Sequence, residues 1–207
     1  FAYRSRGDTG TMLTDDVVLE HVSAFIPAGQ QVAVVGETGS GKTTLGRLIA
    51  RLADPVAGQI RIGGVPLRQV ANDEMRRRLV VVAQEPFLFD ASLADNIRWS
   101  RPGATDADVA AIVDLLGVGD WVESLSDGLG TRVGERGDSL SAGERQLAAL
   151  LRAGLADPDI LLLDEATSAV DALTEVRISH ALARLSQGRT TIAIAHRLST
   201  AARADRV

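Results

Sequence analysis

The sequence predicts an α/β fold built around a mainly parallel β-sheet. Four short apolar runs, bounded by turn residues, do not alternate apolar with polar side chains: residues 32–35, 79–83, 160–163 and 191–195. Strands that are buried on both faces have this pattern. Helical patterns lie between these runs, and a repeated strand-helix order is typical of a domain with a parallel central sheet.

Two helices are predicted by apolar residues at positions i, i+3, i+4 and i+7. The first set is Leu45, Leu48, Ile49 and Leu52, and the second is Val109, Ile112, Val113 and Leu116. Thr105 lies before the second set, and Asp108 follows Thr105 by three positions. This is the spacing of an N-terminal capping box. The sequence therefore places helix starts as well as helix faces.

Two regions depart from the strand-helix order and divide the predicted domain into lobes. Residues 1–31 and 56–75 contain short strand-like pieces and many turn residues, which predicts a small antiparallel β lobe. Residues 86–156 are mainly helical and predict a helical lobe. The parallel core is then expected from residues 32–55, 76–85 and 157–207.

Composition limits the classes of function. A chain of 207 residues is long enough for one domain, and a net charge of −5 argues against a nucleic-acid-binding surface. The absence of cysteine excludes disulfides and thiol nucleophiles. No run approaches the ~18 apolar residues that a membrane-spanning helix needs. Because the chain starts at Phe1 and stops just after a helical pattern, we expect a piece of a longer protein, incomplete at both ends.

Residues 36–43 read GETGSGKT and fit the phosphate-binding pattern G-x-x-x-x-G-K-[ST]. They follow a predicted strand and open a predicted helix, which is the context that this motif requires. Lys42 is expected to reach the β- and γ-phosphates, and the Thr43 hydroxyl to bind Mg²⁺. The predicted nucleotide contacts are Gly36, Glu37, Thr38, Gly39, Ser40, Gly41, Lys42, Thr43 and Thr44.

Polar residues follow three other predicted strands. Asp164 and Glu165 end the run ILLLDE, where Asp164 would hold Mg²⁺ and Glu165 would orient or deprotonate a water. Alternatively, both acids cap the next helix. Gln84 is a candidate Mg²⁺ or water contact, and His196 a candidate γ-phosphate contact, because both lie where strands end.

The stretch DSLSAGERQ, Asp138 to Gln146, has the form of a helix start without a catalytic group. Ser141 is a good N-cap, and a helix N-terminus favours an anion. The helix that follows is predicted to bury one apolar stripe, made of Leu147, Leu150, Leu151, Gly154 and Leu155.

Taken in order, these motifs resemble the nucleotide-binding domain of ATP-binding-cassette (ABC) transporters. The resemblance spans essentially the whole chain: GETGSGKT, Gln84, LSAGE (140–144), ILLLDE, SAVD (168–171) and His196. The segments FLFDASLADNI (87–97) and TRVGERG (131–137) further resemble the exporter branch.

The resemblance implies a fold, ligands and partners. It implies a P-loop NTPase core with ATP and Mg²⁺ as ligands, the latter on Thr43, Gln84 and Asp164. It also implies catalytic roles for Lys42, Glu165 and His196. Two such domains are expected to pack head to tail as a homodimer or heterodimer, so that Ser141 and Gly143 of one contact the γ-phosphate held by the other.

The family resemblance also implies the surroundings of the domain. The segment 87–97 is expected to face transmembrane domains, on the same or a partner chain, at the cytoplasmic face of the cell membrane. Tyr3 is the position that matches the family's adenine-stacking aromatic residue. No nucleic-acid partner is expected.

One residue departs from the family pattern L-S-G-G-Q. Glu144 puts a carboxylate beside a phosphate site. This carboxylate either impairs the site or turns back to the Ser141 N–H in a capping box and is engaged locally. We favour the capping box. Two other functions remain open at this point: a soluble ABC-type ATPase of DNA repair or translation, and a regulatory half of a heterodimer that does not hydrolyse ATP.

Overall fold

The computed structural model describes residues 2–3, 16–164, 170–195 and 198–207. Its central feature is a four-stranded, fully parallel sheet in the order β3-β8-β7-β6. The four strands are β3 (Gln31–Val34), β6 (Leu79–Val82), β7 (Ile160–Asp164) and β8 (Thr190–Ile194). They coincide with the four apolar runs to within one residue at each end, which confirms the prediction of a parallel sheet.

Four very short strands form two further pairs. They are β1 (Ala2–Tyr3), β2 (Asp16–Val17), β4 (Arg61–Ile62) and β5 (Val65–Pro66). β1 pairs with β2 and β4 with β5, both antiparallel, in two separate two-stranded sheets. The antiparallel character agrees with the sequence prediction, but among the described residues the two pairs are not hydrogen-bonded into one sheet.

Eight helices accompany these strands in the described part of the chain. They are α1 (Lys42–Ile49), α2 (Asn72–Arg78), α3 (Leu93–Arg98), α4 (Asp106–Leu116), α5 (Gly119–Ser124), α6 (Ala142–Ala156), α7 (Ala172–Ser186) and α8 (Leu198–Arg203). Short 3₁₀ turns cover Leu67–Gln69, Gly128–Gly130 and Glu135–Gly137. None of the described helices combines the length and the hydrophobicity that crossing a bilayer requires.

Residues 86–156 are mainly helical and contain most of the main apolar core. The largest cluster of buried side chains joins α3, α4, α5, α6 and α7 to one face of β6 and β7. Leu150 and Leu151 of α6 have no exposed surface, and the rest of the predicted α6 stripe is buried as well. α6 is therefore held firmly along its length, and its N-terminus has a defined position.

The first helix ends earlier than its pattern predicted. α1 stops at Ile49, and Arg51 has a left-handed backbone with φ of 54°. The turn at Arg51 directs the chain outward, so that Leu52 is 73% exposed rather than buried on the helix face. The Arg51 guanidinium donates to the Val70 carbonyl at 2.7 Å, which ties this turn to the chain before α2.

Candidate functional site

The loop between β3 and α1 surrounds a small concavity. Gly39 and Gly41 have φ of 85° and 90°, a region that side chains rarely adopt. Gly41 also packs closely: a methyl group there would lie 2.8 Å from Cδ2 of Leu19. The concavity measures about 190 Å³ and is lined by Val18, Thr38, Gly39, Gly41, Lys42, Thr43 and Thr44. Glycine is thus required at Gly41 by both conformation and packing.

Lys42 is the charged centre of this loop. It is only 7% exposed, and its ammonium donates to the carbonyl oxygens of Gly36 at 2.8 Å and Glu37 at 2.7 Å. A buried ammonium requires acceptors, and here the loop supplies them. Phosphate oxygens are acceptors of the same kind, carrying negative charge, so they can replace the two carbonyls. The loop therefore has the electrostatic character of a phosphate site.

The metal-binding candidates Thr43, Gln84 and Asp164 all lie within the described residues. Thr43 is exposed in the first turn of α1, and Asp164 is half-buried at the end of β7, paired in register with Ile194 of β8. Gln84 is exposed, two residues beyond β6. Because β3, β8, β7 and β6 are parallel, these strand ends share one edge of the sheet.

Their chemistry suits Mg²⁺ that is bound together with a phosphate. Hydroxyl, carboxylate and amide oxygens are the hard ligands that Mg²⁺ takes, usually with substrate phosphates completing its shell. Over the described residues, no group of three or more His, Asp or Glu side chains could by itself hold a metal ion. The donor atoms of Thr43, Gln84 and Asp164 fit a Mg²⁺ ion that a phosphate also binds.

Three predicted site residues are not tested by this geometry. Glu165 and His196 lie outside the described residues. Tyr3 belongs to β1, where its backbone pairs with Asp16. Their roles remain predictions.

The start of α6 has the capping box that the sequence suggested. The Ser141 hydroxyl accepts the Glu144 N–H at 3.3 Å, and the Glu144 carboxylate accepts the Ser141 N–H at 2.8 Å through Oε2. Ser141 and Ala142 are exposed, so this helix N-terminus opens to the surface. Glu144 is thus used locally, as predicted.

Sequence reasoning missed a third hydrogen bond of Glu144, which comes from another helix. The indole Nε1–H of Trp121, in α5, donates to Oε1 of Glu144 at 3.1 Å. Burial is the largest influence on the pKa of Glu144 and acts to raise it, but the hydrogen bonds from Ser141 and Trp121 outweigh it, so the pKa lies below its usual value. Glu144 is therefore ionised near neutral pH, with both carboxylate oxygens occupied.

Sequence reasoning also missed a packing role for Gly143. This residue is buried, and a methyl group on it would collide with Cγ2 of Thr174 and lie 2.8 Å from Cγ1 of Val170. Gly143 lets the first turn of α6 approach the start of α7 closely. No local pattern signals this contact, because Thr174 is thirty-one positions away in sequence and only the tertiary fold brings it near.

The two segments with an exporter-like sequence lie together in the structure. Leu93 N–H donates to the Thr131 carbonyl at 2.9 Å, and Val133 N–H donates to the Ala91 carbonyl at 3.1 Å. Beside them lies an aromatic surface formed by Phe87, Phe89 and Trp99. The Phe87 and Phe89 rings meet edge to face with centroids 5.1 Å apart, and the tilted rings of Phe89 and Trp99 have centroids 3.9 Å apart. Phe87 is 54% exposed and Trp99 is 61% exposed.

Comparison with known proteins identifies the family. The family model described as ABC transporter matches residues 19–168, which is more than half of the chain. The chain belongs to the ABC transporter family. It is an ATP-binding domain of that family, and the parallel sheet with its P-loop and capped α6 is the family fold.

Relatives in several bacteria are similar over nearly the whole chain. An uncharacterized ABC transporter ATP-binding protein, YknV of Bacillus subtilis, is 46% identical over 91% of this chain and 31% of its own length. The heterocyst differentiation ATP-binding protein HepA of Nostoc is 44% identical over 93% of the chain and 32% of its own. The β-(1→2)glucan export ATP-binding/permease protein NdvA of Rhizobium etli is 47% identical over 91% and 32%.

A solved ABC exporter has the same fold over most of this chain. A bacterial Atm1-family ABC exporter with ATP bound is 41% identical and superposes with a TM-score of 0.83, covering 91% of this chain and 33% of that one. The chain thus spans about a third of the length of the relatives that it matches.

Proposed function

We propose that this chain is the ATP-hydrolysing domain of an ABC exporter, which pairs head to tail with a second copy around two ATP and so drives transport through attached transmembrane domains. The observation that carries the proposal is the presence, on one chain of this family, of two separate candidate phosphate-binding features. One is the loop around Lys42, and the other is the exposed, capped N-terminus of α6 at Ser141.

ATP binding is expected to begin at the loop. The phosphates would take the place of the Gly36 and Glu37 carbonyls as acceptors for Lys42, and the Thr43 hydroxyl would be a ligand of Mg²⁺. Mg²⁺ would neutralise phosphate charge, with Thr43, Gln84 and Asp164 near it. The family position of Tyr3 suits an aromatic contact with adenine.

Hydrolysis is assigned to residues after two strands. Asp164 ends β7, so Glu165 directly after it would orient or deprotonate the attacking water. His196 follows β8 and would contact the γ-phosphate. The proposal for Glu165 and His196 rests on sequence position, and for Asp164 on its place at the sheet edge.

Association would use the second phosphate-binding feature. The free N–H groups at the start of α6 and the Ser141 hydroxyl would bind the γ-phosphate that Lys42 of the other copy holds. Gly143 lies inside this turn. Loss of the γ-phosphate after hydrolysis removes the shared ligand, so that the pair opens again.

Coupling to transport would use the aromatic surface. Phe87 and Trp99 expose large apolar side chains beside the joined segments 91–93 and 131–133. Exposed aromatic clusters of this kind are typical of protein interfaces. We assign this surface to the transmembrane domains, with the ATP-binding domain on the cytoplasmic side of the cell membrane.

The test is the solution mass of Glu165→Gln with and without Mg-ATP, measured by light scattering after size-exclusion chromatography. Slowed hydrolysis should trap the pair, so the mass should rise from 21.8 kDa to twice that value only with ATP. Phosphate release by the unsubstituted chain should exceed that of Glu165→Gln by at least about 100-fold, the size of a general-base effect.

Lys42→Ala in the Glu165→Gln background provides the control, because it removes the buried ammonium but leaves the α6 start intact. It should bind ATP weakly and stay monomeric. A monomer that binds ATP tightly in the Glu165→Gln chain itself would contradict association between identical copies.

A further inference from the structure

Glu144 is an anion at the mouth of a proposed phosphate site, and the structure shows what restrains it. Oε2 accepts the Ser141 N–H at 2.8 Å and Oε1 accepts the Trp121 indole N–H at 3.1 Å. The first bond is part of the capping box, and a glutamate three positions after any N-cap serine can form it. The second comes from another helix, so it is a feature of the tertiary fold.

Trp121 is a rigid donor in this arrangement. Its side chain is 2% exposed and belongs to the main apolar core. The neighbouring Asp120 accepts a hydrogen bond from Arg177 of α7 at 2.6 Å, which fastens α5 to α7 at the same point. We therefore expect the indole to keep its position when a ligand binds at the start of α6.

The capping box at the start of α4 shows a different partner for the capping carboxylate. There Asp108 accepts the Thr105 N–H at 2.8 Å, just as Glu144 accepts that of Ser141. Its further partner, however, is the surface cation Arg101 at 2.9 Å, with both side chains more than 40% exposed. At α6 the further partner is a buried, neutral donor, which draws the carboxylate toward α5.

An unrestrained carboxylate at this position would compete with phosphate. Helix N-termini attract any anion, and Glu144 sits three positions from the cap, within reach of the same N–H groups. Asp171, the N-cap of α7, adds a second negative charge nearby and acts to raise the pKa of Glu144. The hydrogen bonds at Oε1 and Oε2 leave Glu144 charged but hold its carboxylate in one place, so they matter for the affinity of a second anion.

We propose that Trp121 is a positioning residue: by holding Oε1 of Glu144 against α5, it keeps the Ser141 hydroxyl and the N-terminus of α6 open to the γ-phosphate of ATP on the second copy. This inference rests on the proposed function. It explains how a carboxylate can stand where the family pattern has a glutamine without blocking the site.

A mutant cycle in the Glu165→Gln background tests the role. Trp121→Phe removes the N–H donor and keeps an aromatic ring. It should weaken ATP-dependent association about tenfold, as expected for one hydrogen bond to a charged group, while ATP affinity of the dilute monomer is unchanged. The double variant Trp121→Phe/Glu144→Gln should recover the dissociation constant of Glu144→Gln alone to within about twofold, because a neutral amide does not compete with phosphate.

Recovery of affinity in the double variant distinguishes a positioning role of Trp121 from a role in core packing alone. If Trp121 serves only as core filling, Trp121→Phe and the double variant will be equally weak, and the proposal is overturned. An unchanged dissociation constant in Trp121→Phe overturns it as well. If the Glu165→Gln parent itself stays monomeric with ATP, the proposed function has failed instead, so the two failures are distinguishable.

Asp108→Asn is the matched control for Glu144→Gln, because it also replaces a capping-box carboxylate with an amide, but at the start of α4 rather than α6. It should leave ATP-dependent association within about twofold of the parent, whereas an effect as large as that of Trp121→Phe would count against the proposal. Melting temperatures of all variants separate loss of affinity from loss of folding.

A second measurement needs no substitution of Trp121. The chain has two tryptophans, so the Trp121 indole signal in a ¹⁵N–¹H spectrum can be assigned with Trp99→Phe. A hydrogen bond to a carboxylate shifts that proton downfield. The signal should stay downfield in the ATP-bound dimer and move upfield in Glu144→Ala. An upfield shift on dimer formation would mean that the bond breaks when phosphate binds, and the proposal would be wrong.

Discussion

Gly143 combines two roles in a single residue, since it lies in the proposed phosphate-binding turn and also at a tight packing contact with Thr174 and Val170. Both neighbours are β-branched side chains on the far side of the contact, and such side chains have few alternative rotamers. The first turn of α6 therefore cannot accommodate a methyl group without moving.

We expect Gly143→Ala to lower the free energy of unfolding by about 1–3 kcal/mol and to weaken ATP-dependent association. Gly154→Ala is the matched control, because it adds a methyl group to the same helix 2.6 Å from Cδ1 of Ile112, far from the turn. It should destabilise the fold without a specific effect on association. Urea unfolding and light scattering measure the two quantities, and equal effects on association would refute the dual role.

Sequence distance decided which of these residue-scale features could be predicted. The capping boxes at Thr105 and Ser141 were predictable, because each joins residues three positions apart. The Trp121–Glu144 bond joins residues 23 positions apart in different helices. Neither that bond nor the contact at Gly143 has a local signature. The sequence therefore predicted where α6 begins and its capping box, but not the two contacts that its first turn makes with other helices.

At the scale of elements, α6 is clamped to the segment before α3 by Arg152. Its guanidinium donates to the Phe87 carbonyl at 2.9 Å, to the Asn96 carbonyl at 2.9 Å and to Asn96 Oδ1 at 3.0 Å. Asn96 is 1% exposed and in turn binds both backbone groups of Phe89. Burial lowers the pKa of Arg152, yet an arginine stays charged at neutral pH.

We expect Arg152→Met to destabilise the fold by roughly 2–4 kcal/mol, because it leaves the two acceptors of the buried Asn96 without their charged donor. The emission of Trp99 should also shift, since the aromatic surface loses its support. Arg132→Met is the control: its ion pair with Asp90 is exposed, so it should cost less than about 1 kcal/mol. Similar urea midpoints for both variants would show that the clamp is unimportant.

The elements themselves were predictable to different degrees. The four parallel strands are buried apolar runs whose pattern is decided by burial on both faces, and the sequence located them to within one residue. The end of α1 was misjudged, because the left-handed turn at Arg51 overrides the periodicity that includes Leu52. Strand order could not be derived, since β8, the last strand along the chain, inserts between β3 and β7.

At the scale of the whole molecule, depressed carboxyl pKa values gather at helix starts outside the sheet. Hydrogen bonds from Thr105 lower the pKa of Asp108, the Arg177 side chain lowers that of Asp120, and Thr174 lowers that of Asp171. With Glu144, these residues stand in the first turns or N-caps of α4, α5, α6 and α7. Ionised carboxylates thus stabilise the starts of these four helices.

This distribution predicts how the domain responds to acid. A carboxyl group whose pKa is lower in the folded state stabilises the fold above its unfolded pKa of about 4, and this stability is lost as the pH falls through the folded pKa. These groups therefore contribute a constant stabilisation above about pH 5 that declines below about pH 4. Amide hydrogen exchange should show protection falling first at the starts of α4 to α7, while β7 and β8 remain protected. Asp108→Asn should flatten part of the pH dependence, because its side chain no longer titrates. Simultaneous loss of protection in the sheet and the helices would contradict a local, carboxylate-driven opening.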